Sequence, residues 1–369
     1  MVRSPIKSVA INIAKFDFWK SEKFDQLKLR AAYGESGNFP NFGSKFTTLV
    51  PANTGGSAGI LINLQRGNDQ VKQERQKEFE AGFDIGTSNG NLSLEATYYR
   101  KEGTELIFAQ NVPLSSGFTT RIINGGTLTN QGVELALNAS PVNKTNFKWN
   151  SRTSFWKNTS KVRKLAVPTF DLGGFGTTLG TFRIEEGKSA TQIVGIDNGG
   201  VAVLGNAEPD FQMNFLNDLT IYKNLTFSFL LHWKKGGDNI NLTELLTDLG
   251  GTSPDYDGDD NGNGIGNAKE RTDALGVTAR PFIQDAGYLR IREVGLFYAF
   301  SPEKMKNWFN NKVSGIKMGV SASNLFTFTK YKSYDPEVSN FGSGGFSSGV
   351  EITPFPSSKR LFFHLSVNL

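Results

Sequence analysis

The sequence predicts an all-β protein, an antiparallel β-barrel that crosses a membrane. Three observations predict it. Apolar and polar residues alternate with a period of two in a succession of segments, most of them about 9–11 residues long, the length a tilted strand needs to cross hydrocarbon. No segment approaches the ~20 consecutive apolar residues of a membrane-spanning helix. The connections are short and long by turns, which fits tight turns on one rim of a barrel and long loops on the other. A soluble sandwich also alternates apolar and polar residues, but it gives no reason for such regular alternation of its connections.

The clearest unit is the hairpin at 209–233, PDFQMNFLNDLTIYKNLTFSFLLHW. In its first arm Phe211, Met213, Phe215, Leu219 and Ile221 share a face on which only Asn217 is polar. Gln212, Asn214, Asp218 and Thr220 take most of the other. After a turn at 222–224, Leu225, Phe227, Phe229, Leu231 and Trp233 resume the apolar face.

From the amino end, a short strand at 8–13 leads through a turn at 17–23 to Leu27, Leu29, Ala31 and Tyr33. A long connection at 35–71 follows. Phe79, Ala81, Phe83 and Ile85 then pair across a turn at 88–91 with Leu92, Leu94, Ala96 and Tyr98; their other face carries Glu80, Asp84 and Glu95. An intermediate connection at 111–121 precedes Val133, Leu135, Leu137 and Ala139, with Glu134 opposite. A turn at 141–146 opens FKWNSRTSFWKN, whose alternation is weaker. Residues 163–208 read as a long irregular segment, and 234–287 as another long connection.

The segment YLRIREVGLFYAF changes face between Ile291 and Val294, which predicts a bulge. After a short connection at 301–314 come Ile316, Met318, Val320 and Ala322, a long connection at 330–358, and a last strand with Leu361, Phe363, Leu365, Val367 and Leu369 on one face. Strand parity excludes a crossing at 190–196 and assigns that stretch to the outer loop. About 11 crossings result. An odd number cannot close with antiparallel pairs alone, so the chain is expected to be part of something larger.

Composition supports this reading. Thirty Phe and 41 Gly against 13 Pro suit strands and Gly-rich loops. Mean hydropathy is -0.33, as expected where only every second residue faces lipid. There is no cysteine, hence no disulfide and no thiolate chemistry. The net charge of +5 is spread without a basic run, which argues against a nucleic-acid partner. The first 18 residues lack a secretory signal. A barrel needs export, so either Met1 is not the natural start or the barrel reading fails.

Candidate sites lie in the long connections. Asp257, Asp259 and Asn261, followed by Gly262, match the first half of an EF-hand-type loop and are candidate calcium ligands; Ala268 stands where the twelfth-position acid belongs. The bland alternative is a solvated acidic turn. Phe175, Tyr256, Phe341 and Phe346 are loop aromatics able to stack on sugars or to pack loop against loop. Around Pro336, Asp335 and Glu337 are placed to accept hydrogen bonds from loop backbone, with direct substrate contact as the alternative. His232 and His364 have no Ser or Cys partner at a recognisable spacing, so catalysis is not expected.

Four stretches, in order, resemble landmarks of the SusC/RagA family of TonB-dependent outer-membrane transporters: FDFWKSEKFDQLKLRAAYGESGN, GNAEPDFQMNFLNDLTIYKNLTFSFLLHWKKGGDNI, YLRIREVGLFYAFSP and VSASNLFTFTKYKSYDPEV. The sequence departs from the family's aromatic-rich Phe-Tyr-Gly-Tyr at Gln192-Ile193-Val194-Gly195. The resemblance implies an all-β, antiparallel transmembrane β-barrel of the TonB-dependent transporter type, partial, with about 11 of 22 strands, short periplasmic turns and long extracellular loops. Residues 1–369 would be the carboxyl-terminal portion of that barrel, with signal peptide, TonB box and plug outside it. It also implies residence in the bacterial outer membrane, contact with outer-membrane lipid, import of oligosaccharides or peptides with TonB energy, a SusD-like lipoprotein partner, and no required cofactor beyond the candidate loop calcium. The competing expectations are a non-transporting β-rich surface or binding protein and an inactive truncated fragment.

Overall fold

A computed structural model describes residues 5–310, 312–340 and 346–369. Eleven strands form one antiparallel wall in which neighbours in sequence are neighbours in space. They are β1 (Ile6–Asn12), β2 (Phe24–Ser36), β3 (Arg75–Thr87), β4 (Leu92–Asn111), β5 (Thr120–Lys144), β6 (Phe147–Leu165), β7 (Phe211–Ile221), β8 (Leu225–Lys235), β9 (Tyr288–Ala299), β10 (Gly315–Thr329) and β11 (Arg360–Asn368). Among the described residues the ladder ends at β1 and β11.

The period of two becomes a continuous apolar belt. Leu94 lies opposite Leu137, Leu135 opposite Phe155, Met213 opposite Trp233, Leu231 opposite Ile291 and Val320 opposite Phe363. Leu135 keeps 39% of its surface and Phe363 81%, so these side chains do not share an interior between two sheets. That excludes the sandwich. Asn217, the polar interruption of the belt, is buried and accepts a hydrogen bond from the Trp149 indole N–H at 2.9 Å. In hydrocarbon such a group needs a partner from the protein itself. On the opposite face Arg30 pairs with Asp84 at 2.8 Å and donates to Thr97 at 3.0 Å.

The hairpin of β7 and β8 closes through Tyr222 and Lys223, both at positive φ (50° and 66°), with the Asn224 N–H donating to the Ile221 carbonyl at 3.3 Å. The bulge expected after Ile291 is present. The ladder between β8 and β9 shifts register there and leaves Arg292 without a cross-strand partner. The short connection after β9 contains the helix Pro302–Trp308.

The long connections differ most from expectation. Residues 163–208 are not irregular: Phe170–Leu172, Thr181–Ile184, Gln192–Asp197 and Gly200–Asn206 form a separate four-stranded antiparallel sheet. The 190–196 stretch therefore lies outside the wall, as parity requires. Residues 234–287 contribute the strands Asp238–Asn241 and Ile283–Asp285 and the helices α1 (Leu242–Leu249) and α2 (Asn267–Asp273). The first of these strands also pairs in parallel with Val350–Glu351. The loops fold because they meet one another. Phe182, Ile193, Ile240, Phe282 and Val350, from three of the four long connections, are fully enclosed together. Gly180 adopts φ +101° there, and a Cβ would lie 2.7 Å from Ile283 Cδ1, so glycine is required on both counts. The connection at 111–121 is shorter than expected because β4 runs to Asn111 and β5 begins at Thr120.

Candidate functional site

The outer ends of β8 and β9 turn His232, Lys234, Tyr288 and Arg290 onto one face, His232 opposite Arg290 and Lys234 opposite Tyr288. Alternation places them on the face away from the apolar belt, the lumen side. The bulge re-aims Arg292, whose Nη2 reaches His232 Nδ1 at 2.7 Å. Trp156 stacks on His232 with ring centroids 6.0 Å apart.

Onto this patch the 330–340 segment is strapped by its carboxylates. Arg290, 2% exposed, donates through Nη1 to Glu337 at 2.5 Å and through Nη2 to Asp335. Arg292 and the Tyr288 hydroxyl also donate to Glu337, and Ser357 donates to Asp335. Asn239 holds the middle of the strap, its amide donating to the Pro336 carbonyl at 3.1 Å. Burial raises the pKa of both carboxyls, but the guanidinium pairings and hydrogen bonds outweigh it and hold both below the ordinary carboxylate range. Asp335 also accepts the Glu337 N–H at 3.0 Å, the loop-backbone bond expected of it, while the cations that anchor both carboxylates come from the barrel wall. The arginines that anchor them were not singled out in the sequence. The available signal was a pair of arginines in a strand followed by an Asp-Pro-Glu turn.

Above this strap lies an open cleft of about 870 Å³, lined from the wall by Gln212, Lys234 and Tyr288 and from the loops by Asn239, Glu337, Asn340, Thr353 and Phe355, among others. Glu337 and Tyr288 bring the edge of the ion-paired patch into the cleft, and the rest of the lining mixes hydrogen-bonding groups with apolar Ala207, Pro209, Val338 and Phe355, an arrangement suited to holding an amphipathic solute at the mouth of the lumen.

A second charged cluster sits inside the outer loops. Arg271 on α2 pairs bidentately with Asp248 at the end of α1, both contacts at 2.7 Å, and with Asp255 at 2.8 and 3.0 Å; Lys332 reaches Asp255 at 3.2 Å. These hydrogen bonds bring Asp255 down to about 2 against the opposing effect of burial. Glu244, buried beside Arg271, is instead pushed up by desolvation. Asn241 caps α1 by accepting from the Glu244 N–H at 3.1 Å.

Two of the candidate calcium ligands, Asp259 and Asn261, make hydrogen bonds within the loop. Asp259 accepts the N–H groups of Asn263 and Gly264 at 3.0 and 2.8 Å, while the Asn261 amide donates to Glu270 at 2.9 Å. Among the described residues no three His, Asp or Glu side chains assemble into a cation site. The turn is ordered by its own hydrogen bonds. Phe175 and Tyr256 are exposed on the loops, at 45% and 41%, and do not line the cleft. Phe341 and the Phe346 side chain lie outside the described residues. Among the described candidates, Asp335 and Glu337 share a partner in Arg290.

An antiparallel wall with an apolar belt outside, a charged face inside and folded loops over its mouth defines a barrel of the outer-membrane receptor class. The model of the family described as TonB dependent receptor-like, beta-barrel, matches residues 19–325, and the chain belongs to that family, as an outer-membrane protein. It is 27% identical to TonB-dependent receptor P26 of Formosa agariphila over 98% of this chain and 42% of that protein. It is 23% identical to the TonB-dependent receptor SusC of Bacteroides thetaiotaomicron over 81% of this chain and 32% of that one. The structure of the RagAB peptide transporter superposes with a TM-score of 0.76, at 19% identity, over 98% of this chain and 43% of that chain. The chain thus spans about two fifths of the length of P26 and of that transporter chain.

Proposed function

We propose that these residues form the carboxyl-terminal part of a barrel of about 22 strands that imports oligosaccharides or peptides, with energy delivered through TonB and a SusD-like lipoprotein over its outer loops. The open cleft between the loops and the lumen wall carries this reading, because it offers neutral hydrogen-bonding groups and an aromatic ring where a solute would enter. The relatives support it: SusC is a TonB-dependent receptor and RagAB a peptide transporter. Among the described residues the ladder leaves its two edge strands unpaired, which supports the partial barrel, since bare strand edges are not tolerated in hydrocarbon.

The test is to express the gene with its natural upstream region in an outer membrane. The protein should migrate on gels in a heat-modifiable way, and uptake of labelled oligosaccharide or peptide should stop when TonB is deleted. Binding that persists with no energised uptake would instead identify a non-transporting surface protein.

A further inference from the structure

We propose that the cleft binds a carboxylate-bearing ligand, with Lys234 as its charge contact. This rests on the transport reading above and narrows its substrate class.

The charged side chains of the lining are Lys234 and Glu337. They are in different situations. Glu337 is neutralised by Arg290, Arg292 and the Tyr288 hydroxyl. Lys234 forms no ion pair among the described residues. Three carboxylates act on it electrostatically, Glu337, Asp285 and Asp238, and all are engaged elsewhere. Asp238 accepts the Asn206 N–H at 2.8 Å and Asp285 accepts the Gly287 N–H at 2.8 Å.

Arg290 and Arg292 are matched by Asp335 and Glu337, whereas Lys234, with Asp238 and Asp285 nearby but in contact with neither, has no direct ion-pair partner among the described residues. This half-buried ammonium is stabilised only by carboxylates that make no ion-pair contact with it, and so can still gain a direct partner. A ligand carboxylate supplies it as a charge-assisted hydrogen bond. Gln212 and Thr353 face the cleft beside the ligand's hydroxyl or amide groups, and Phe355, 97% exposed, offers a ring face. A uronic acid and a peptide carboxylate share this chemistry.

The experiment uses the complete protein, expressed with its upstream region, and titration calorimetry with four probes: trialanine, trialanine amide, digalacturonate and its methyl ester. At least one free acid should bind about tenfold or more tightly than its neutral counterpart, a difference of ~1.4 kcal/mol; which pair shows it tells the peptide source from the sugar acid. Lys234→Met should abolish the preference and Lys234→Arg should keep it, with heat-modifiable migration checking that each variant folds. If Lys234→Met fails that check, Lys234→Gln takes its place. Equal affinities within both pairs, a preference that survives loss of the lysine, or no binding of either acid would overturn the proposal. If neutral solutes are still imported in a TonB-dependent way, only this inference falls; if no solute is imported, the transport reading falls as well.

Discussion

The wall and the outer loops are built on opposite plans. In the wall the apolar side chains point away from the protein: Phe363, Leu365 and Met318 are half or more exposed, and the strands are held by their ladders and by the few polar groups those ladders satisfy. In the loops the apolar side chains point at each other, and the fully enclosed cluster of Phe182, Ile193, Ile240, Phe282 and Val350 lies there. The difference teaches where each part finds its stability. The wall takes its apolar solvent from the bilayer, whereas the loops must make their own core, and so behave as a small water-soluble domain attached to a membrane sheet.

Arg271→Met should separate the two regions most sharply. It leaves Asp248 buried without its cation and should cost the loop domain about 3–5 kcal/mol. Hydrogen exchange should show α1 and α2 losing protection while β7 and β8 keep theirs; equal loss in both would break the comparison.

Acid should act next, at the strap between the regions. Asp335 and Glu337 have folded pKa values below their ordinary 3.8 and 4.5, so the stability they contribute is complete above those values and is lost as pH falls below them. Asp335→Asn should release the 330–340 segment already at neutral pH, at a cost of about 1.5–3 kcal/mol, read as new protease cleavage there. Asp255, near 2, should keep its pairing with Arg271 to lower pH than the strap keeps its own.

The smallest effect belongs to the wall. Trp149→Phe removes the hydrogen bond to Asn217 within the belt and should lower stability by about 1 kcal/mol, measured as a shift in the temperature at which gel migration changes. An effect as large as that of Arg271→Met would mean that the ladder is not what holds the wall.

Sequence carried the two regions unequally, for a physical reason. A strand facing lipid writes its environment into every second residue, so β3, β4, β7, β8 and β11, the bulge after Ile291 and the anomaly at Asn217 could all be read locally. The loop core is made of single residues such as Phe182, Ile240 and Val350, far apart in the chain, and no window contains them together. Charges were ambiguous in the same way. Asp257, Asp259 and Asn261 suggested a cation, while the neighbouring Asp255 pairs with Arg271 and Lys332 and Asp259 accepts loop N–H groups, partners that the acid pattern alone does not reveal. Asp335 and Glu337 stood out, but the arginines that take them lie some 45 residues earlier.

With eleven antiparallel strands, β1 and β11 point the same way across the membrane. A twin of this sheet, inserted with the same orientation and set beside it, would bring β11 of one against β1 of the other as parallel neighbours at both seams. Self-assembly therefore cannot seal the cylinder with the hydrogen-bond pattern used everywhere else in it. A completing piece must differ from this one in at least that respect: its own first and last strands must both run opposite to β1.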